Sequence, residues 1–127
     1  MNEVPYNPLD KLNLGNSVAM ALLREDARAL AAADGIIGAG VYAIYYVGSF
    51  AAYAPIAEAN KDSLEQPIYV GKAIPKGGRK GGIATDAGEG TALRDRLRQH
   101  AVSVEQARNL DLRDFHFRFL VVDDIWI

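Results

Sequence analysis

Two tyrosines, one arginine and one histidine are the residues of this chain whose types and spacing could do chemistry. Tyr42 lies in the apolar run 39–47 and Tyr69 in the shorter run 67–71. Both runs are rich in β-branched and aromatic residues and read as strands. Arg96 and His100 are four positions apart in a helical pattern, so they share one helix face. Between the second strand and that helix, residues 72–90 hold six glycines, one proline and four basic residues. A guanidinium is a fixed cation whose planar fork suits a phosphate. An imidazole beside it can donate, accept or shuttle a proton near neutral pH. A tyrosine hydroxyl is a poor base at its free pKa of about 10, and nearby cations are expected to lower that value. Together these are parts for hydrolysing a phosphodiester. Taken singly, each has a plainer reading. Strand tyrosines pack, an i,i+4 Arg/His pair hydrogen-bonds on a surface, and a Gly/Lys stretch is a loop.

Other chemistries lack their residues. Lys72 and Ala73 follow Tyr69, Val70 and Gly71 without the spacing of a phosphate-binding P-loop. The chain has no HExxH, no Asp/Asn-rich calcium loop and no zinc-ligand spacing, and its only histidines are His100 and His116. It has no cysteine, which removes disulfides, thiolate metal sites and cysteine nucleophiles and fits an intracellular protein. No serine sits in a nucleophile elbow.

The elements that must position the four residues read as α+β. Residues 1–15 are polar, with Pro5, Pro8 and Gly15, and suggest an extended arm. Asn16 is placed to cap a helix running to about Ala33, with Val18, Leu22, Ala29 and Leu30 near one face. In the run 39–47 both alternating faces are apolar, which predicts a central strand buried on both sides. Residues 49–66 suit a short helix interrupted at Pro55. Thr91 is placed to cap a further helix with a core stripe of Leu93, Leu97, Ala101 and Val104, and Ser103 could restart it to about Leu110. Residues 114–122 alternate most clearly: Phe115, Phe117, Phe119 and Val121 against His116, Arg118, Leu120 and Val122. The sum is one domain over 1–127, a small central three-stranded antiparallel sheet flanked by helices, with an N-terminal helix and a long basic Gly-rich loop.

The formal net charge is −2, but its distribution is uneven. From Lys72 to Arg98 the chain carries seven of its 14 basic residues against three acids, a local charge of +4. A phosphate backbone needs such a local stripe and not a basic protein overall. No run of about 18 apolar residues is available for a membrane span, and the N-terminus has no apolar signal core.

The combination resembles the GIY-YIG nucleases. Gly40, Val41 and Tyr42, then Tyr69, Val70 and Gly71, resemble the two half-motifs that the family carries on adjacent antiparallel strands. LRDRLRQH, from Leu93 to His100, is similar to the helix that carries the family's essential arginine. The resemblance covers about residues 38–122. It implies catalytic roles for Tyr42, Tyr69, Arg96 and His100, and DNA contacts from Lys72, Lys76, Arg79, Lys80 and Arg94. The usual gap between the half-motifs is about ten residues, and here it is much longer. That gap, the N-terminal helix and the basic loop look most like the GIY-YIG type II restriction endonucleases that read a GC-rich palindrome. The implied activity is metal-assisted, sequence-specific cleavage of double-stranded DNA in a prokaryotic cytoplasm, with a homodimer as one way to read a palindrome. The resemblance also implies Mg²⁺ held by a glutamate on a helix after the third strand. The glutamates here are at 3, 25, 58, 65, 89 and 105, so that ligand is expected beyond Ile127, and the chain by itself is expected to be inactive. A DNA-binding module without catalysis, a partner-binding domain, and a repair or mobile-element nuclease are the alternatives. Residues that read bases are sought in 73–90.

Overall fold

A computed structural model describes residues 11–75 and 90–122. Four antiparallel strands form one sheet: β1 (Arg28–Ala29), β2 (Gly40–Tyr46), β3 (Pro67–Ala73) and β4 (Phe115–Val121), in the order β1-β4-β2-β3. Among the described residues three helices accompany it, α1 (Lys11–Arg24), α2 (Ala54–Ala59) and α3 (Ala92–Gln106), with short 3-10 turns at Leu30–Ala32, Ala51–Tyr53 and Leu112–Asp114.

β2 is the central strand, and nearly all of it is buried. Alternation sends its side chains into two separate cores. Tyr42, Ile44 and Tyr46 join Leu93, Leu97 and Ala101 of α3 with Phe115 and Phe117 of β4. Ala43 and Tyr45 meet Leu22 of α1 on the opposite face, with Val18, Val41, Leu64 and Leu120 packed around them. The two-sided burial expected of the run 39–47 is therefore present. The phenylalanines of β4 follow the expected alternation too, with Phe115 and Phe117 buried and Phe119 packed at the margin.

The sheet has four strands where the sequence suggested three. The additional strand is the pair Arg28 and Ala29, which register with Phe117 and His116 of β4. The expected helix 16–33 would have swallowed them. Instead α1 runs from Lys11 to Arg24, so Asn16 lies inside the helix. Arg, Ala and Leu favour a helix locally, but the open edge of β4 offers hydrogen bonds that a continued helix would leave unused. Arg118 of β4 fixes the end of α1. Its Nε donates to the Glu25 carbonyl at 2.8 Å, its Nη1 donates to the Leu64 carbonyl at 2.6 Å, and its guanidinium lies 4.9 Å over the Tyr45 ring.

α3 is continuous through Ser103 to Gln106, so no second helix begins there. Its start is also capped differently from expectation. The Thr91 hydroxyl donates to the Asp95 carboxylate at 3.0 Å and takes no backbone N–H. The Gly38 carbonyl accepts from the Leu93 N–H at 3.1 Å instead, so a distant loop supplies the cap. In the long segment between β2 and β3, Pro55 stands in the first turn of α2, where its missing N–H costs no hydrogen bond. Most of the basic Gly-rich loop, including Lys76, Arg79 and Lys80, lies outside the described residues.

Candidate active site

The register of β2 against β3 decides where the tyrosines meet. Tyr42 stands opposite Gly71 and Ile44 opposite Tyr69, so Tyr42, Tyr69 and Gly71 share the face covered by α3. The position at 71 has no room for a side chain unless a neighbour shifts. A Cβ there would lie 2.6 Å from the Tyr42 hydroxyl, 2.7 Å from its Cζ and 2.8 Å from Tyr69 Cε1. The position at 40 is closed for another reason, since a Cβ would run into the Leu120 carbonyl of β4. Both glycines of the two half-motifs are thus explained by close approach.

α3 brings its pair to the same spot. The Leu93/Leu97 stripe is fully buried, which turns the neighbouring Arg96/His100 face along the sheet surface. The Tyr42 hydroxyl and His100 Nε2 are hydrogen bonded at 2.7 Å. The Tyr69 ring stacks 6.0 Å from that of Tyr42 and lies 4.7 Å from the His100 ring, centroid to centroid. Tyr42 is buried, whereas Tyr69 is 43% exposed, so the cluster reaches solvent through Tyr69. Arg96 borders a cleft of about 710 Å³ between the end of β3 and the first turns of α3, which Lys72, Thr91 and Gln99 also line.

The electrostatics correct one expectation. Burial raises the Tyr42 pKa, and the hydrogen-bonding Arg96 guanidinium only partly pulls it back, while Tyr69 raises it further. Desolvation of the charged form outweighs the cation that was expected to lower it. His100 moves the other way: burial first, and the positive charge of Arg96 second, hold its pKa below the ordinary value of 6.5. At neutral pH the site therefore holds a neutral phenol against a neutral imidazole.

Of the residues singled out from sequence, Tyr42, Tyr69, Arg96 and His100 come together. Arg94 does not join them; its guanidinium pairs with the adjacent Asp95 at 3.1 Å. Lys72 registers with Val41, whose side chain packs on the α1 side. Alternation thus sets Lys72 on the face opposite Gly71, though it still borders the cleft beside Arg96. Asn60 was not anticipated at all. It is 3% exposed and makes four hydrogen bonds around the start of β3. Its partners are backbone atoms, up to 14 positions away, and leave no local signature in sequence.

Comparison with known proteins adds an independent line. A family model described as the Eco29kI GIY-YIG domain matches residues 34–127. No curated protein matches the chain. Nucleases of this kind generally use divalent metals. The cluster of Tyr42, Tyr69, Arg96 and His100 supplies no carboxylate, whereas Mg²⁺ is held by hard oxygen ligands. Among the described residues no three His, Cys, Asp or Glu side chains gather into a metal-binding group. The described residues alone do not fit the ion.

Proposed function

The chain belongs to the GIY-YIG restriction-nuclease family described by the Eco29kI domain, and from that premise we propose that it is a sequence-specific endonuclease of double-stranded DNA whose reaction runs through Tyr42 and His100. A nuclease domain implies a DNA substrate. Among the described residues no helix is long and apolar enough to cross a membrane. The observation that carries the catalytic reading is the 2.7 Å contact between the Tyr42 hydroxyl and His100 Nε2, held against Tyr69 and Arg96.

With both partners neutral, Tyr42 acts as a relay and not as a tyrosinate. Its hydroxyl donates to Nε2 of the His100 tautomer that carries its proton on Nδ1. When water attacks phosphorus, the Tyr42 oxygen accepts the water proton while its own proton passes to Nε2; the P–O bond to the leaving sugar oxygen breaks, and that oxygen takes its proton from solvent. A base within hydrogen-bond reach of the proton it receives is the geometric requirement for such catalysis. The lowered His100 pKa keeps the imidazole free to accept. Arg96 offers its charge to the phosphate oxygens as negative charge builds on them. Tyr69, half in solvent, packs against both rings and orients Tyr42 and the scissile phosphate. Lys72, Arg94 and the 76–80 cluster contact flanking phosphates, which fixes the register of the protein on the duplex. A two-fold dimer would match a palindromic site.

The test is cleavage of plasmid DNA by the whole chain in magnesium buffer, beside Arg96→Ala. Discrete fragments are expected from the wild type, with a carboxylate outside the described residues completing the metal site, against the expectation from sequence that the chain by itself is inactive. The variant should cut on the order of 10²–10³-fold more slowly with its DNA affinity largely kept. Parallel loss of binding and cutting would sink the role given to Arg96. A wild type that binds DNA with salt-dependent affinity and never cuts it would replace the reading with that of a binding module.

A further inference from the structure

β3 carries Tyr69 and Gly71, yet among the described residues it is an edge strand, bonded to β2 on one side. It also begins with Pro67, which has no N–H to give to the ladder. Something else must decide which residue of β3 faces Tyr42. That decision is consequential, because a slip by one residue sends every side chain of a strand to the other face.

Asn60 occupies the place where the ladder gives out. Its Nδ2 donates to the Tyr46 carbonyl at the end of β2 (3.1 Å) and to the Gln66 carbonyl just before β3 (2.9 Å). Its Oδ1 accepts from the N–H groups of Glu65 (3.0 Å) and Gln66 (2.8 Å). One side chain thus bridges the last residue of β2 to the approach of β3. From that bridge the registers count unequally. Tyr45 faces Pro67 and Ile44 faces Tyr69, so the two strands are irregular at Ile68. Ile68 packs into the α3-side core. The bulge absorbs one odd residue and leaves Tyr69 on the His100 face, a use of bulges common beside functional sites. Arg118 backs the same segment from the other side through the Leu64 carbonyl.

We propose that Asn60 is a positioning residue of the nuclease reaction: by fixing the start of β3 against the end of β2 it sets the bulged register that holds Tyr69 and Gly71 against Tyr42. The inference rests on the catalytic reading given above. Asn60 itself touches no reacting atom.

The test compares Asn60→Asp with the wild type and with Lys61→Ala, an exposed neighbour paired with Glu58. Asn60→Asp keeps the shape and the two bonds from Glu65 and Gln66, and sets an oxygen against the carbonyls of Tyr46 and Gln66. Amide hydrogen exchange reads the strand directly, without any need for cleavage. Expected is faster exchange across 65–71, with α3 and β4 protected as in the wild type. Since a misplacement of about 1 Å can cost about 10²-fold in rate, kcat should fall by about that factor with KM for DNA little changed. Protonation of the new carboxyl would restore one donor, and burial favours the neutral form. The thermal midpoint of Asn60→Asp should therefore approach that of the wild type as the pH falls. Lys61→Ala should change none of these. Wild-type exchange across 65–71 in Asn60→Asp overturns the proposal whatever the cleavage rate. A loosened β3 with an unchanged kcat overturns it as well. A wild type that does not cut refutes the catalytic reading separately, and the exchange measurement still decides whether Asn60 holds the strand.

Discussion

Replacing Gly71 by alanine adds one methyl group where the chain has no room for it. The backbone there is ordinary strand, so the cost is one of space. The new Cβ would sit 2.6 Å from the Tyr42 hydroxyl, while ordinary contact begins at 3.4 Å, a shortfall of about 0.8 Å. Tyr42 does not yield easily. Tyr42 is fully buried and bonded to His100, and Tyr69 Cε1 closes the other side at 2.8 Å. Overpacking of this kind costs about 1–3 kcal/mol, and the hydroxyl that must move is the one proposed to take the water proton. A displacement near 1 Å is worth about 10² in rate. Gly71→Ala should thus keep its fold, lose a few degrees of thermal stability, bind duplex DNA close to normally and cut about a hundredfold more slowly. Cleavage under single-turnover conditions measures the rate, fluorescence anisotropy the affinity, and circular dichroism the fold. Adding Tyr42→Phe should return part of the stability, because the hydroxyl at 2.6 Å is gone while Cζ at 2.7 Å remains, and should return none of the activity. Wild-type cutting by a folded Gly71→Ala protein would refute the argument that this contact places the reacting hydroxyl.

The other predictions concern pH and the back of the sheet. Because His100 must be neutral to accept a proton and its pKa is lowered, the acid limb of the cleavage rate should be centred below pH 6.5. An acid limb centred above 6.5 would contradict the assignment. The same depression makes the contribution of His100 to stability present above the unfolded pKa and lost as the pH falls through the folded one, which a pH series of denaturant melts on wild type and His100→Gln resolves. Arg118→Met removes both carbonyl contacts and the stacking on Tyr45. Hydrogen bonds from a charged donor are worth about 1.5–3 kcal/mol, so urea unfolding should report a loss of about 2 kcal/mol or more. A loss below about 0.5 kcal/mol, the range of neutral surface changes, would mean that these contacts do not anchor α1.

The parts of the site legible in sequence were those that rest on local pattern. The apolar run around Tyr42 has too little polar character to be anything but a central strand. The helical stripe of Leu93 and Leu97 fixed the face on which Arg96 and His100 had to stand. What escaped was decided by distant partners. Arg28 and Ala29 favour a helix by composition and become a strand only because β4 presents an open edge. Asn60 looks like any polar residue at the end of a short helix, and its role depends on Tyr46 and Gln66 arriving from two strands. The direction of the Tyr42 pKa shift escaped for a related reason. A nearby cation can be guessed from spacing, but the extent of desolvation follows from packing that no local pattern records. Lys72 illustrates the same limit, since its side of the sheet depended on register.

The sheet order also carries a message about the order of synthesis. β4 is made last of the four strands, yet it lies between β1 and β2, and Tyr42 on β2 faces Phe119 of β4 directly across the ladder. A chain emerging from the ribosome has all four residues of the site before it has the strand that seals the core behind them. Until then β2 has one unpaired flank, and pairings this distant in sequence form late because their loop must close first. The cluster of Tyr42, Tyr69, Arg96 and His100 is consequently sealed only after β4 has been made. For the nuclease proposed above, that timing keeps nascent chains harmless until β4 has paired.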